Sequence, residues 1–266
     1  LQHYLKVKDR HEGIQNNNQI IMSKTLLLTG ASGGIGRALL TGLCQAGYNL
    51  ALHYNEHFEE LTELLENDRP KTHIALFKAD LTNEAQVADM IEGIIAEFGR
   101  LDVVINNAGI GASALAWKQD VADWNQTLAT NLTAPMLVCK HALSHMRAQE
   151  FGRIINISSV VAHIGMPGTS AYAASKAGLE GYTRSLAKEV INKNITANIL
   201  AYGYMNAGMI DVLTEEMKTI VRAMIPAGEF GPTDDILSAI LYLANEKSTY
   251  VTGQTLHVNG GLFMNS

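Results

Sequence analysis

Apolar and polar positions along this chain follow two alternating rhythms. From Thr25 onward, short unbroken apolar runs are separated by longer stretches in which apolar side chains return every third or fourth residue. The short runs predict strands buried on both faces, and the longer stretches predict helices packed against them. Strands are predicted at Thr25–Thr29, Asn49–Tyr54, His73–Lys78, Leu101–Ile105, Arg153–Ser158, Ile195–Leu200 and Thr255–Val258. Helices are predicted at Gly34–Ala46, Phe58–Glu66, Glu84–Phe98, Trp124–Arg147, Ala171–Ile191 and Asp234–Ala244. Pro135 falls inside the fourth helix and is expected to bend it.

Strand followed by helix, repeated along the chain, is the pattern of an α/β fold with a doubly wound parallel sheet and helices on both faces. No repeat or linker interrupts it, so residues 22–266 predict one domain. Residues 1–21, with their Asn16–Asn18 run, lack the pattern and read as an N-terminal extension outside the core. The longest stretch without a core pattern, residues 202–232, is expected to cover a ligand as a lid. Its Met205, Met209, Met217 and Met224 offer an adaptable apolar lining, a small helical pair packed on the core being the equal alternative.

Charge narrows the function classes. A net charge of −6 gives no overall field to attract nucleic acid or an anionic membrane. Two cysteines, Cys44 and Cys139, form no paired motif, and no apolar run reaches the length of a membrane span, so a reducing, cytoplasmic setting is expected. Nine histidines include no zinc-binding spacing, and no metal is expected. Ser158 and Ser159 lack a G-x-S-x-G setting, which removes a hydrolase nucleophile, and His163 reads as structural or substrate-facing. Trp117 and Trp124 read as core or interface packing.

Two places carry chemistry. The turn Thr29-Gly-Ala-Ser-Gly-Gly-Ile-Gly36 joins the first strand to the first helix. Main-chain N–H groups and the helix dipole favour a pyrophosphate there, and Gly30, Gly34 and Gly36 allow close approach. Ser32, Gly33 and Ile35 complete the candidate cradle. No carboxylate stands at His53-Tyr54-Asn55 to repel a 2′-phosphate, which favours NADP over NAD, with Arg37 or His53 as sources of positive charge. The second place is Tyr172-Ala-Ala-Ser-Lys176, which sets a phenol and an ammonium on one helix face. A nearby cation would draw the phenol toward a working pKa, and Ser159, at the end of a strand, could hold a substrate oxygen beside it.

Taken together, Thr29–Gly36, Asn106-Asn-Ala-Gly109, Asn131, Ser159, Tyr172 and Lys176, in this order, resemble the short-chain dehydrogenase/reductase family over about residues 23–264. The resemblance implies a Rossmann-type fold in which Ser159 orients a carbonyl, Tyr172 is the acid or base, Lys176 binds the nicotinamide ribose and lowers the tyrosine pKa, and Asn131 holds a relay water. It implies cofactor contacts at Asp80 and Leu81 for adenine, Asn107 for the adenosine ribose and the Met205 main chain for the carboxamide, with Ala108, Gly109 and Gly203 also lining the cofactor. Pro226-Ala-Gly228 and the ending Tyr250–Gly261 are similar to 3-oxoacyl-[acyl-carrier-protein] reductases, which implies NADPH, a β-keto thioester substrate and a homotetramer built on the two long helices and the last strand, a homodimer being the alternative. The alternatives are an alcohol, sugar or steroid dehydrogenase of the same family and a non-catalytic dinucleotide-binding regulator. Two positions depart from the pattern: Tyr202-Gly203 where Pro-Gly is usual, and Ala207 where a clamping Thr is common. Lys193, Lys188, Arg184, Arg147 and Arg153 are candidates for a basic patch that docks an acidic carrier, although Glu150 stands where a cation is often found.

Overall fold

The computed structural model describes residues 23–264 apart from 69–71, 112, 209 and 211–212. The N-terminal extension and Met209 lie outside the described residues. Seven strands form one sheet in the order β3-β2-β1-β4-β5-β6-β7, with every pairing parallel. They are β1 (Thr25–Leu28), β2 (Asn49–Tyr54), β3 (Ile74–Lys78), β4 (Val103–Asn106), β5 (Gly152–Ser159), β6 (Ile195–Tyr202) and β7 (Thr255–Val258). The helices are α1 (Gly34–Gln45), α2 (Phe58–Asp68), α3 (Glu84–Phe98), α4 (Val121–Leu128), α5 (Ala134–Ala148), α6 (Val161–Ile164), α7 (Ser170–Val190), α8 (Glu215–Met224) and α9 (Thr233–Ala244).

Each face of the sheet has its own apolar layer. Leu39, Leu40 and Leu43 of α1 and Ile236 and Ile240 of α9 pack on one face. Val87, Ile91 and Ile94 of α3, Val138 of α5 and Leu186 of α7 pack on the other. Central strands covered on both sides carry no polar alternation, which is why β1 and β4 read as unbroken apolar runs. The chain winds outward from β1 to β3, then crosses back to β4 and continues to β7. A crevice therefore opens at the carboxyl ends of β1 and β4, where the winding direction reverses.

Buried polar side chains lock this arrangement. The fully buried Asp102 carboxylate accepts from Thr25 N at 2.8 Å and from Arg100 Nε and Nη2 at 2.7 and 2.6 Å, which ties the start of β1 to β4. Under the crevice, Asn106 donates to Asn156 Oδ1 at 2.8 Å, and Asn156 donates to Thr183 Oγ1 at 2.8 Å, linking β4, β5 and α7. Arg153, 0 % exposed, donates to the carbonyls of Gly152, Asn194, Asn245 and Glu246. It is a structural clamp, and burial removes it from the proposed docking patch.

The helix expected over Trp124–Arg147 is three pieces. Between α4 and α5, Ala129–Thr133 makes a wider turn in which Ala134 N–H bonds Ala129 O, five residues back. Pro135 has no N–H to offer the Asn131 carbonyl four residues earlier, and the ladder widens just before the proline. Asn131 sits in that wide turn. The stretch expected to be a lid is partly regular: it gives its first residue to β6, contains α8, and is tied back by main-chain bonds between Tyr204, Asn206 and Gly231.

Candidate active site

At the end of β1 the chain turns through Gly30, whose φ is +66° and whose missing side chain matters, because a Cβ would stand 2.9 Å from Ala108 Cα. Thr29 Oγ1 accepts from Asn107 N and Ala108 N at 2.9 and 3.0 Å, while Asn107 Nδ2 donates to Thr29 O and Gly30 O at 2.9 and 3.3 Å. Asn107 thus holds the turn. Helix α1 begins at Gly34 without a side-chain cap from Gly33, so its first N–H groups have no acceptor within the helix and face the crevice as an anion site. Gly36 allows no Cβ because Gly30 O stands against it. The Ala207–Gly208 segment closes over the same helix end, with Gly208 Cα 2.6 Å from where a Cβ on Gly34 would stand. This turn therefore fits a dinucleotide pyrophosphate.

His53 departs from expectation. Its side chain is 2 % exposed, with Nδ1 accepting from Gly30 N at 3.0 Å and Nε2 at 3.0 Å from Ala79 O. Burial pulls its pKa down to about 4, so at neutral pH the ring is uncharged. His53 therefore cannot supply positive charge to a 2′-phosphate, contrary to what its place at the end of β2 suggests. Arg37 is exposed in the first turn of α1, and Asn55 is exposed just past β2. Asp80 lies beyond β3, where its carboxylate accepts from Thr82 N and Oγ1 at 2.9 and 2.7 Å, with Leu81 buried beside it.

Across the crevice, β5 ends at Ser159 and α7 carries Tyr172 and Lys176. Ser159 Oγ accepts from Val161 N at 3.2 Å. Burial raises the Tyr172 pKa, and the neighbouring Ser159 hydroxyl opposes that shift. Lys176 is 3 % exposed and donates from Nζ to Ile157 O at 2.8 Å, 5.7 Å from the Tyr172 ring centre. Burial lowers the Lys176 pKa to about 8. Gly109 sits between Asn131 and Lys176, since a Cβ there would stand 3.2 Å from Asn131 Oδ1 and 3.4 Å from Lys176 Nζ. Asn131 grips the Ile110 main chain through Oδ1 and Nδ2 at 2.9 and 2.8 Å and donates to Ser175 Oγ at 3.1 Å.

Asn131, Ser159, Tyr172, Lys176 and the loop Asn107–Gly109 therefore meet at one sheet edge, beside the Gly30 turn. Gly203 bonds Val258 O, and Met205 is buried against Gly231. Tyr202 pairs in register with Ser159, so the residue that replaces the usual proline stands beside the serine. His163 is structural: its Nε2 lies 2.9 Å from Glu180 Oε1 and its ring stacks on Phe263 at 4.6 Å. Trp117, 78 % exposed, lies outside the core. Among the other docking candidates, Lys193 pairs with Glu150 at 2.8 Å and Arg184 lies 3.6 Å from Glu180, leaving Arg147 and Lys188 exposed. Among the described residues no helix is long and apolar enough to cross a membrane, and no cluster of three or more His, Cys, Asp or Glu could hold a metal ion.

A parallel doubly wound sheet with a glycine turn facing a serine, a tyrosine and a lysine defines a dinucleotide-dependent oxidoreductase. The family profile described as enoyl-(acyl carrier protein) reductase matches residues 30–263, and the chain belongs to the short-chain dehydrogenase/reductase family of NAD(P)-dependent oxidoreductases. It is 38 % identical over 244 residues to the 3-oxoacyl-[acyl-carrier-protein] reductase FabG of Staphylococcus aureus, covering 91 % of this chain and 99 % of that protein. The FabG of Rickettsia bellii is 39 % identical over 244 residues, covering 92 % and 98 %. Nodulation protein G of Rhizobium sp. (strain N33) is 40 % identical over 246 residues, covering 92 % and 98 %.

Proposed function

We propose that this chain reduces the keto group of a 3-oxoacyl thioester, carried on acyl-carrier protein, to the 3-hydroxyacyl form, with NADPH as reductant and Tyr172 as proton donor. The observation that carries the reading is the convergence of Ser159, at the end of β5, with Tyr172 and Lys176 of α7, the Lys176 Nζ lying 5.7 Å from the Tyr172 ring centre, at the mouth of the crevice opened by the Gly30 turn. A bound reduced nicotinamide supplies the hydride to the carbonyl carbon. Ser159 and Tyr172 hold the carbonyl oxygen between two hydroxyls, and the Tyr172 O–H proton passes to that oxygen as it becomes a hydroxyl. Lys176 binds the nicotinamide ribose and favours the phenolate left behind. The Asn131 carbonyl, relieved of its helical partner by Pro135, is the acceptor for a water that returns the proton.

Several features favour the substrate and cofactor. Two of the relatives named above are 3-oxoacyl-[acyl-carrier-protein] reductases. Helix α8 keeps Met217, Ile220 and Met224 52, 63 and 43 % exposed, an apolar face suited to an acyl chain. Asn55 in place of a carboxylate, with Arg37 exposed in the first turn of α1, favours the 2′-phosphate of NADPH. By the same reading the protein is a cytoplasmic homotetramer assembled through α5, α7 and the edge strand β7.

The test follows NADPH and NADH consumption with acetoacetyl-CoA and a 3-oxoacyl carrier protein. NADPH is expected to be consumed with formation of the 3-hydroxyacyl product, and Tyr172→Phe is expected to lose at least about 100-fold in turnover. Turnover of secondary alcohols but of no β-keto thioester would reject the substrate class, and full activity of Tyr172→Phe would reject the proton donor.

A further inference from the structure

We propose that His53 is a positioning residue for the cofactor, its Nδ1 holding the Gly30 N–H so that the turn presents its remaining N–H groups to the pyrophosphate. This rests on the reading of the crevice as a dinucleotide site. His53 lies near the end of β2 and takes both N–H groups at the start of the turn: its main-chain oxygen accepts from Ala31 N at 2.9 Å, and its Nδ1 accepts from Gly30 N at 3.0 Å. The other ring nitrogen lies 3.0 Å from Ala79 O. A carbonyl only accepts, so Nε2 carries the proton and Nδ1 is left as the acceptor; one neutral tautomer satisfies both contacts. A doubly protonated ring would aim an N–H at the Gly30 N–H.

The carbonyl side of Gly30 is held separately, by Gly33 N at 3.1 Å and Asn107 Nδ2 at 3.3 Å. Between them, His53 and Asn107 fix both ends of a residue whose φ is +66°. The peptide plane on either side of Gly30 then has one orientation, and that orientation sets where Ser32 and the first turn of α1 point. Because Ala79 precedes Asp80, the ring also struts the turn against the end of β3, where the adenine would lie. No charge and no direct ligand contact is needed for this role.

Two substitutions separate the ring nitrogens. In His53→Asn the side-chain oxygen reaches the Nδ1 position, keeping the Gly30 bond and giving up Ala79. In His53→Gln the amide reaches the Nε2 position, keeping the Ala79 bond and leaving the Gly30 N–H without an acceptor. Equilibrium NADPH binding followed by fluorescence, thermal unfolding, and kcat and KM for NADPH are measured on both variants and the unmodified protein. His53→Gln is expected to weaken NADPH binding about tenfold, with KM rising more than kcat falls, whereas His53→Asn stays within about threefold at a similar loss of Tm. Nitrogen NMR of the unmodified protein is expected to show protonated Nε2 and bare Nδ1. Equal loss of binding in both variants, in step with Tm, would reduce His53 to a structural residue and overturn the proposal, as would unchanged binding in both or the opposite tautomer. An unmodified protein that binds neither NADPH nor NADH would remove the dinucleotide reading itself, a failure distinct from the absence of a split between the variants.

Discussion

The ammonium of Lys176 donates to the carbonyl of Ile157 at 2.8 Å and stands 5.7 Å from the ring centre of Tyr172. A buried cation is thus held beneath the phenol by a β5 carbonyl, at a cost to the fold. Burial lowers its pKa from 10.5 to about 8, so between those values the unfolded chain binds the extra proton and stability rises with pH. Below pH 8 the full cost applies, roughly 3 kcal/mol. Lys176→Met removes that charge and gives up one hydrogen bond. Its Tm at pH 7 is expected to equal or exceed that of the parent, while turnover falls at least about 100-fold. Thermal denaturation beside an NADPH-oxidation assay checks both, and a Tm several degrees lower would mean that the Ile157 bond outweighs desolvation.

His53 leads to a prediction at the opposite end of the pH scale. Its folded pKa of about 4 lies below the ordinary 6.5, because burial outweighs the Ala79 carbonyl and the Asp80 carboxylate, both of which favour the charged ring. Between those values the unfolded chain holds the additional proton, so stability declines as pH falls from 6.5 toward 4, by roughly 3 kcal/mol from this group. Urea unfolding at pH 7, 6 and 5 measures the slope. His53→Asn is expected to lack this contribution, and an identical slope in that variant would assign the acid sensitivity elsewhere.

These two groups mark where the chain was legible and where it was not. Strands β1, β4, β5 and β6 announce themselves because both faces are covered, and Ser159, Tyr172 and Lys176 fall where a strand end and a helix face put them. That His53 is a neutral buried ring and not a charge does not show in the sequence, because its partners, Gly30 and Ala79, are 23 and 26 residues away, and only strand pairing brings them to one ring. Arg153 looked like a surface cation for the same reason: its acceptors at Asn194, Asn245 and Glu246 come from distant loops. The wide turn at Asn131 was hidden because Ala129–Thr133 keeps the apolar rhythm of the helices around it. Periodicity reports which side of an element is buried and carries no information about which remote carbonyl a buried donor will find.

Arg153 allows the docking question to be divided. Its guanidinium satisfies four carbonyls and lies 4.4 Å from the centre of the Phe151 ring, with no exposed surface. Arg153→Met is expected to cost roughly 2–4 kcal/mol of stability, since it removes a buried network without replacing its donors. The KM for a carrier-bound substrate should not change. Charge reversal at exposed Arg147 or Lys188 is expected to do the opposite, raising that KM in a salt-dependent way with Tm within a degree or two of the parent. Steady-state kinetics at two ionic strengths would test the contrast, and a KM that rises only with Arg153→Met would reverse it.

Adjacent glycines in the turn between β1 and α1 should respond in opposite directions. Gly33 has φ −74° and ψ 164°, a conformation open to any side chain, and the nearest atom to an added Cβ is Gly30 O at 3.3 Å. Gly33→Arg would bring a guanidinium to the open side of the turn, near Asn55, where a 2′-phosphate would lie, and is expected to improve NADPH over NADH by about tenfold in kcat/KM. Gly34 has no such room, because an added Cβ would stand 2.6 Å from Gly208 Cα and 2.8 Å from Gly208 N, both main-chain atoms. Gly34→Ala must push the 207–208 segment away from the start of α1. Both cofactors should then bind more weakly, by a similar factor, while the sheet and its Tm are little affected, since the displaced segment lies outside both apolar layers. Binding of NADPH and NADH to the two variants, with circular dichroism to check the fold, decides the matter. Selective loss of one cofactor in Gly34→Ala would show that the 207–208 segment reads the adenine end and does not simply close over the pyrophosphate.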